Sequence, residues 1–323
     1  MRSLIPAVLD LAVEIQQIPA PTFAEAQRAA FLLRRFREEG LRVEQDEMGN
    51  VYACLPGTGD ARPVVVSAHS DTVFPPDTDL RVRRTAGKIH APGIGDNSVA
   101  VAGLFGLLWS LREAGYTPPG DLWLVANVCE EGLGDLKGMR AVVRRFGSAP
   151  AAYVVLEGVA LGTIFHRGLG VQRYRVHVRT AGGHSWGDFG RPSAIHELAE
   201  IVHRLTALPL PTQPRASLNV GVIRGGTSVN TIAAHAWLEL DLRAEQAETL
   251  AALVEQVEAL IRQASRADVQ VSAEVIGRRP AGEIASDHPL VRLAVESLRA
   301  QGVSPQLSIG STDANIPISQ GLP

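Results

Sequence analysis

Apolar positions recur at helical spacing over residues 3–17 and again over 24–39, with Pro19-Ala20-Pro21 between them, and this predicts two helices. Short β-branched runs follow at 51–55, 64–67, 122–128 and 153–156, and a long apolar helix is predicted over 98–114. Near-continuous apolar strands alternating with a helix imply a mainly parallel sheet with helices on both faces. From about residue 168 the texture turns to alternation, with Val171, Tyr174, Val176 and Val178 in a strand pattern. A helix over 193–205, strands over 217–223 and 236–242, a charged amphipathic helix over 245–263 and a strand over 269–276 complete the series. The order β-α-β-β-α-β is a ferredoxin-like unit able to fold on its own. After Arg279 come a helix over 289–301 and a loop holding Asp313. The expectation is an α/β protein with a discontinuous catalytic domain, 1–166 plus 279–323, and an inserted lid or dimerisation domain, 167–278.

Composition narrows the classes. A chain of 323 residues exceeds the ~250–300 at which single cores stop growing, in keeping with two domains. With 46% apolar and 20% charged residues it has the makings of a buried core and a wet surface rather than of a disordered chain. A net charge of −3 gives no reason to seek phosphate backbones or anionic lipid, so neither nucleic acid nor membrane is expected as a partner. No stretch approaches ~20 uninterrupted apolar residues, and the first residues lack the apolar region of a signal peptide, which makes a cytoplasmic address the expectation. Cys54 and Cys129 are the two cysteines, too few for a disulfide framework or a zinc knuckle, so any metal must rest on His, Asp and Glu.

Four acidic or imidazole clusters fall just past predicted strand ends, where open α/β sheets bind their ligands. His69-Ser70-Asp71 follows the run at 64–67; it reads either as a surface loop or as a metal ligand oriented by a nearby carboxylate. Asp96, in Gly95-Asp96-Asn97, opens the long helix and reads as a cap or as a ligand. Glu130-Glu131 end an apolar strand and must emerge at a cleft edge, where adjacent residues would point to opposite sides. Glu157 closes another apolar strand. One histidine and three carboxylates make a donor set that zinc accepts, with Glu130 left over as a base.

These residues resemble the co-catalytic zinc peptidases and deacylases, the family of peptidase T, glutamate carboxypeptidase, aminoacylase and succinyl-diaminopimelate desuccinylase. The matches run in order along the chain: Ile18-Pro19-Ala20-Pro21-Thr22, Gly49-Asn50-Val51, His69-Ser70-Asp71-Thr72-Val73, Gly95-Asp96-Asn97, Glu130-Glu131-Gly132, Gly183-His184-Ser185 and Ser311-Thr312-Asp313-Ala314-Asn315. The resemblance implies that His69, Asp96 and Glu157 hold one zinc, that Asp96 and Glu131 hold a second, that Glu130 is the general base and that Asp71 steadies His69. It implies that His184 stabilises an oxyanion in a neighbouring subunit of a homodimer joined through the lid, and that Asn230 and Arg243 grip substrate. Cobalt or manganese could replace zinc. Relatives carry a further histidine, ligand to the second zinc, beyond the segment matching 316–323, so the second site is expected to be one ligand short and the chain truncated at its C-terminus.

Plainer readings stand beside the lid assignments. His184 reads equally as a turn residue in a Gly-rich segment, Arg243 as a partner of Asp241 or Glu239, and Asn230 as the shaper of a hairpin. His166, His235 and His288 read as structural. The expected substrate is a small peptide, or else an N-acyl amino acid; the alternative is a non-catalytic peptide- or metal-binding relative. A nucleotide site is not expected, because Gly57-Thr58-Gly59-Asp60 is not a phosphate loop.

Overall fold

Proline sets the first two helices apart. Pro6 suits the opening turn of α1 (Ile5–Gln16), and Pro19 and Pro21 keep the chain extended before α2 (Ala26–Glu38). The computed structural model describes residues 4–159 and 161–323; the predicted helix start at residue 3 lies outside the described residues. Next come the strands β1 (Arg42–Gln45), β2 (Val51–Leu55) and β3 (Val64–His69), a small hairpin of β4 (Arg83–Thr85) and β5 (Lys88–His90), and α3 (Val99–Glu113). Strand β6 (Leu122–Asn127), α4 (Lys137–Phe146) and β7 (Ala152–Val155) complete the central sheet and its cover.

That sheet has the order β1-β2-β6-β3-β7. Only the β6-β3 and β3-β7 pairs are parallel, while β1-β2 and β2-β6 are antiparallel, so the expected mainly parallel sheet is instead mixed. For the β1-β2 pair the cause is local: the strands are joined by a short turn closed by the Asn50 N–H donating to Asp46 Oδ1 at 2.9 Å, and a connection that short cannot make the crossover parallel strands need. Alternation divides the side chains between two cores. Val51, Ala53, Val66, Ala68, Leu124 and Ala126 pack with α1, α2 and α3. On the other face Tyr52, Cys54, Val65, Trp123 and Val125 meet Met139, Val142 and Val143 of α4. Helix α3 with its preceding turn is long and apolar enough to cross a bilayer by composition, yet Val101, Leu104, Phe105 and Leu108 are fully buried in the first core.

Strand β8 (Thr163–Gly168) leads to a second unit. It contains β9 (Gly170–Arg179), β10 (Gly183–His184), α5 (Ala194–Thr206), β11 (Ala216–Gly225), β12 (Thr231–Ile232), β13 (His235–Ala244), α6 (Ala247–Ala264) and β14 (Gln270–Arg279). Its four-stranded sheet runs β11-β13-β9-β14, antiparallel throughout. Tyr174, Val176, Val178, Leu238, Leu240 and Leu242 point to one side, against Leu198, Ile201 and Leu205 of α5 and Leu253, Val257 and Leu260 of α6. The chain closes with β15 (Gly282–Glu283), α7 (Pro289–Ala300), β16 (Gln306–Gly310) and α8 (Asn315–Ser319), β8 lying between β15 and β16. By contacts the chain forms two compact units, one running to Arg167 and resuming at Glu283–Pro323, the other Gly168–Gly282.

Gly138 in the first turn of α4 shows how closely helix and sheet approach: a Cβ there would stand 2.0 Å from the Val128 carbonyl oxygen and 2.8 Å from Asn50 Oδ1. Gly138→Ala therefore lowers unfolding free energy by about 1–3 kcal/mol, the range for overpacking, as read by urea denaturation.

Candidate active site

The end of β6 carries the centre of the first unit. Beyond Asn127 the ladder stops, and the next four backbone N–H groups have no strand to donate to; each finds a buried side chain instead. Val128 N–H donates to Asn50 Oδ1 at 3.0 Å, Cys129 N–H to Glu25 Oε1 at 3.1 Å, and Glu130 and Glu131 N–H to the two oxygens of Asp71 at 2.9 Å each. Cys129 bends the chain through a left-handed φ of 57°. Two adjacent glutamates are thereby fixed by their backbones.

His69, at the last position of β3 and 2% exposed, faces that segment. Its Nδ1 is 3.1 Å from the Asp71 carbonyl oxygen and 3.6 Å from Asp71 Oδ1. On the other side Nε2 is 3.0 Å from Asp96 Oδ1 and 3.6 Å from Glu157 Oε2. Donor atoms of His69, Asp96 and Glu131 all lie within 4.8 Å of one another. Asp96 does not cap α3: no side chain caps that helix, and Asp96 sits at φ −120°, ψ 95°, outside helical geometry, in the turn before it. The Asp71 carboxylate also accepts from Thr22 Oγ1 at 2.9 Å, so it is shared among the Glu130 and Glu131 amides, Thr22 and His69, whose Nδ1 lies nearer the Asp71 carbonyl.

Several supports were not legible as such in the sequence. Asn97, 1% exposed, donates Nδ2 to the Leu156 carbonyl and accepts from the Gly158 N–H, both at 3.0 Å, clasping the loop that presents Glu157. Gly158 is needed there, since a Cβ would fall 2.0 Å from the Gly95 carbonyl oxygen. Arg28, buried, donates to the carbonyls of Ser70 and Ile18, and the Pro21–Thr72 bridge ties the opening segment to the His69 loop. Asn127 donates Nδ2 to Asp313 Oδ2 at 2.6 Å, while the remaining oxygen of each is buried without a hydrogen-bond partner among the described residues. The matches around Asn50, Asn97 and Asp313 were signals, but their partners lie far off in the chain.

Electrostatics follow from the crowding. Burial alone would depress the His69 pKa, but hydrogen bonds with Asp71, Asp96 and Glu157 raise it well above the ordinary imidazole value. Asp71 is held below the usual carboxylate range, burial being outweighed by His69 and the two amides. Glu131 is pushed up to about 7 by burial and by the charges of Glu130 and Asp96. Burial and Glu130 also raise Asp313 well above its ordinary value. The cluster holds more acid than one imidazolium can balance; it has the donors and the charge for a divalent cation.

In the second unit His184 is the exposed last residue of β10, its Nδ1 accepting from the Trp186 and Gly187 N–H groups at 3.3 Å. Arg243 donates Nε to Asp241 Oδ2 at 2.6 Å, and Asn230 Oδ1 accepts from Ser228 Oγ at 2.8 Å. His166 contacts the Ile284 carbonyl through Nδ1 and His288 caps α7.

Residues 65–323 match the model of peptidase family M20/M25/M40, and the chain belongs to that family. It is accordingly a hydrolase of the metallopeptidase and amidohydrolase class. The fold is similar to a tripeptidase from Staphylococcus aureus (TM-score 0.81, 22% identity, covering 98% of this chain and 87% of that one) and to aminopeptidase PepT from Bacillus cereus (0.76, 23%, 98% and 88%). It is also similar to the YXEP protein of Bacillus subtilis, a dinuclear metal binding peptidase from the M20 family (0.66, 18%, 100% and 88%).

Two outcomes follow for this cluster. Asn50→Ala, which touches no candidate ligand, leaves the Val128 amide buried without its acceptor; it lowers stability by about 1–3 kcal/mol in thermal unfolding and weakens divalent metal uptake in equilibrium dialysis. In the metal-free protein, Glu131 keeps a proton up to about 7 that the unfolded chain releases near 4.5, so stability falls as pH rises through that interval. A metal must displace that proton, so its affinity drops as pH is lowered through about 7, and calorimetry in buffers of different ionisation enthalpy registers proton release on binding.

Proposed function

We propose that this protein is a zinc peptidase that cleaves an amide bond in small peptides. The observation that carries the reading is the convergence of His69 Nε2 with the carboxylates of Asp96 and Glu131 within 4.8 Å, with Glu157 3.6 Å from the same nitrogen. Imidazole nitrogen and carboxylate oxygen suit zinc, and cobalt and manganese accept the same donors. His69, Asp96 and Glu157 would hold one ion, and Asp96 with Glu131 a second. With Nδ1 engaged by the Asp71 carbonyl, the ring offers Nε2 as its ligand atom.

A pair of such ions would supply an acidified water, with a pKa of about 7, and would polarise the amide carbonyl. Glu130, 6% exposed and anchored through its backbone to Asp71, takes the proton of the attacking water and delivers it to the leaving nitrogen. Asp71 holds Glu130 and Glu131 in register for their separate tasks. His184, whose Nδ1 already accepts backbone hydrogens, carries its proton on Nε2 in the neutral ring and can donate it to an oxyanion. That residue acts from a neighbouring copy, in a homodimer joined through the second unit. Asn230 and Arg243 grip the substrate, Arg243 offering a carboxylate the rest of its fork of donors.

A panel of dipeptides and tripeptides against N-acyl amino acids, with zinc, cobalt or manganese added, tests the reading; hydrolysis of neither class sinks it and favours a binding protein. Glu130→Ala keeps its metal and loses about 10²–10⁴ in kcat, whereas His69→Ala lowers metal content measured by plasma emission. Full activity in Glu130→Ala would remove it from the chemistry.

A further inference from the structure

The face of the second unit's sheet turned away from α5 and α6 is a field of matched charges. Arg175 pairs with Glu239 at 2.7 Å, and Arg173 and Arg243 share Asp241 at 2.8 and 2.6 Å. Two side chains on that face answer each other instead. His177 of β9 and His235 of β13 bring Nδ1 and Nε2 to 3.1 Å, with ring planes 10° apart and centroids 5.4 Å apart. Only one proton fits between two such nitrogens, so one ring donates and the other accepts.

That separation is what a chelate requires. With metal–nitrogen bonds of about 2.0–2.1 Å, nitrogens 3.1 Å apart subtend an angle of about 100° at the ion, between the square-planar and tetrahedral values. The imidazole χ2 torsion is broad, so a modest ring rotation turns both lone pairs toward one point. Partial burial, Arg179 and His177 hold His235 below the ordinary imidazole pKa, so it is neutral at pH 7 and able to bind. His235 also lines a cavity of about 480 Å³ with Arg224, Thr227, Thr231 and Trp237, which leaves room for water beside that ring.

We propose that His177 and His235 form a second metal site, a two-imidazole clamp for a late first-row divalent ion such as copper, nickel or zinc, linking β9 to β13. On binding, the shared proton moves to the far nitrogen of its ring through solvent, and both facing nitrogens donate lone pairs to the ion. The site shares no residue with the His69 cluster. The positive charge of Arg179 opposite His235 tempers its affinity.

The test uses the intrinsic fluorescence of the full chain during Cu²⁺ titration, because Trp237 is the cross-strand partner of His177 and lies within quenching range. Quenching is expected in the wild type and in His69→Ala, and it shifts to more than about tenfold higher Cu²⁺ in His177→Gln and in His235→Gln, each checked for fold by circular dichroism. Trp237→Phe removes the quenched component while dialysis still counts the bound ion. Copper paramagnetic resonance of His69→Ala shows coupling to two nitrogens. Titration curves unchanged by both histidine substitutions, a quenched component that survives in Trp237→Phe, or no two-nitrogen coupling in the otherwise native His69→Ala protein would each overturn the clamp.

Discussion

Four successive amides at the end of a central strand govern this molecule. A strand that outlasts its neighbours leaves backbone donors with nothing to bond, and a buried donor without an acceptor costs about 1–3 kcal/mol. Here Asn50, Glu25 and Asp71 supply the acceptors, and all three are themselves buried. The solution does more than satisfy hydrogen bonds. It lets the chain turn sharply at Cys129 and present Glu130 and Glu131 side by side from a rigid base, so that two chemically identical side chains occupy different surroundings.

Those surroundings differ chiefly in charge. Carboxylates gather around one imidazole, and the crowding favours protons: the His69 pKa is raised by its acidic neighbours and that of Glu131 is pushed up to about 7. A cation entering such a site replaces protons rather than filling an indifferent hole. Site preorganisation and metal affinity are in this sense one property, because the hydrogen bonds that aim the donors also hold them close enough to repel.

Much of this was legible in the sequence. Apolar spacing gave the order of the principal helices and strands, and of the acidic or imidazole residues at successive strand ends the structure brings His69, Asp96 and Glu131 together. Helix α4 escaped because Lys137 and Gly138 open it and basic residues crowd it; its apolar stripe of Met139, Val142 and Val143 is narrow. Strand β16 escaped because its residues are largely exposed and only pairing with β8 makes it a strand. The mixed sheet depended on how β2 meets β6, which no local pattern encodes. Asp96 could be a cap or a ligand on sequence alone, and backbone angles decided against the cap. Asn50 and Asn97 stood in matching segments, but what they hold was not legible because their partners lie 59 to 88 positions away.

The bond between Asn127 and Asp313 spans 186 positions, with an entire second unit spelled out between them. During synthesis the ribosome must therefore release residues 168–282, which possess a core of their own, before Asp313 exists to meet Asn127. The nascent first unit waits with a polar gap at its heart while the insert is already able to collapse. Pairing of Asn127 with Asp313 thus comes only after the second unit has been made, and a chain halted before Asp313 would carry His69, Asp96, Glu131 and Glu157 yet lack that buried partner of Asn127.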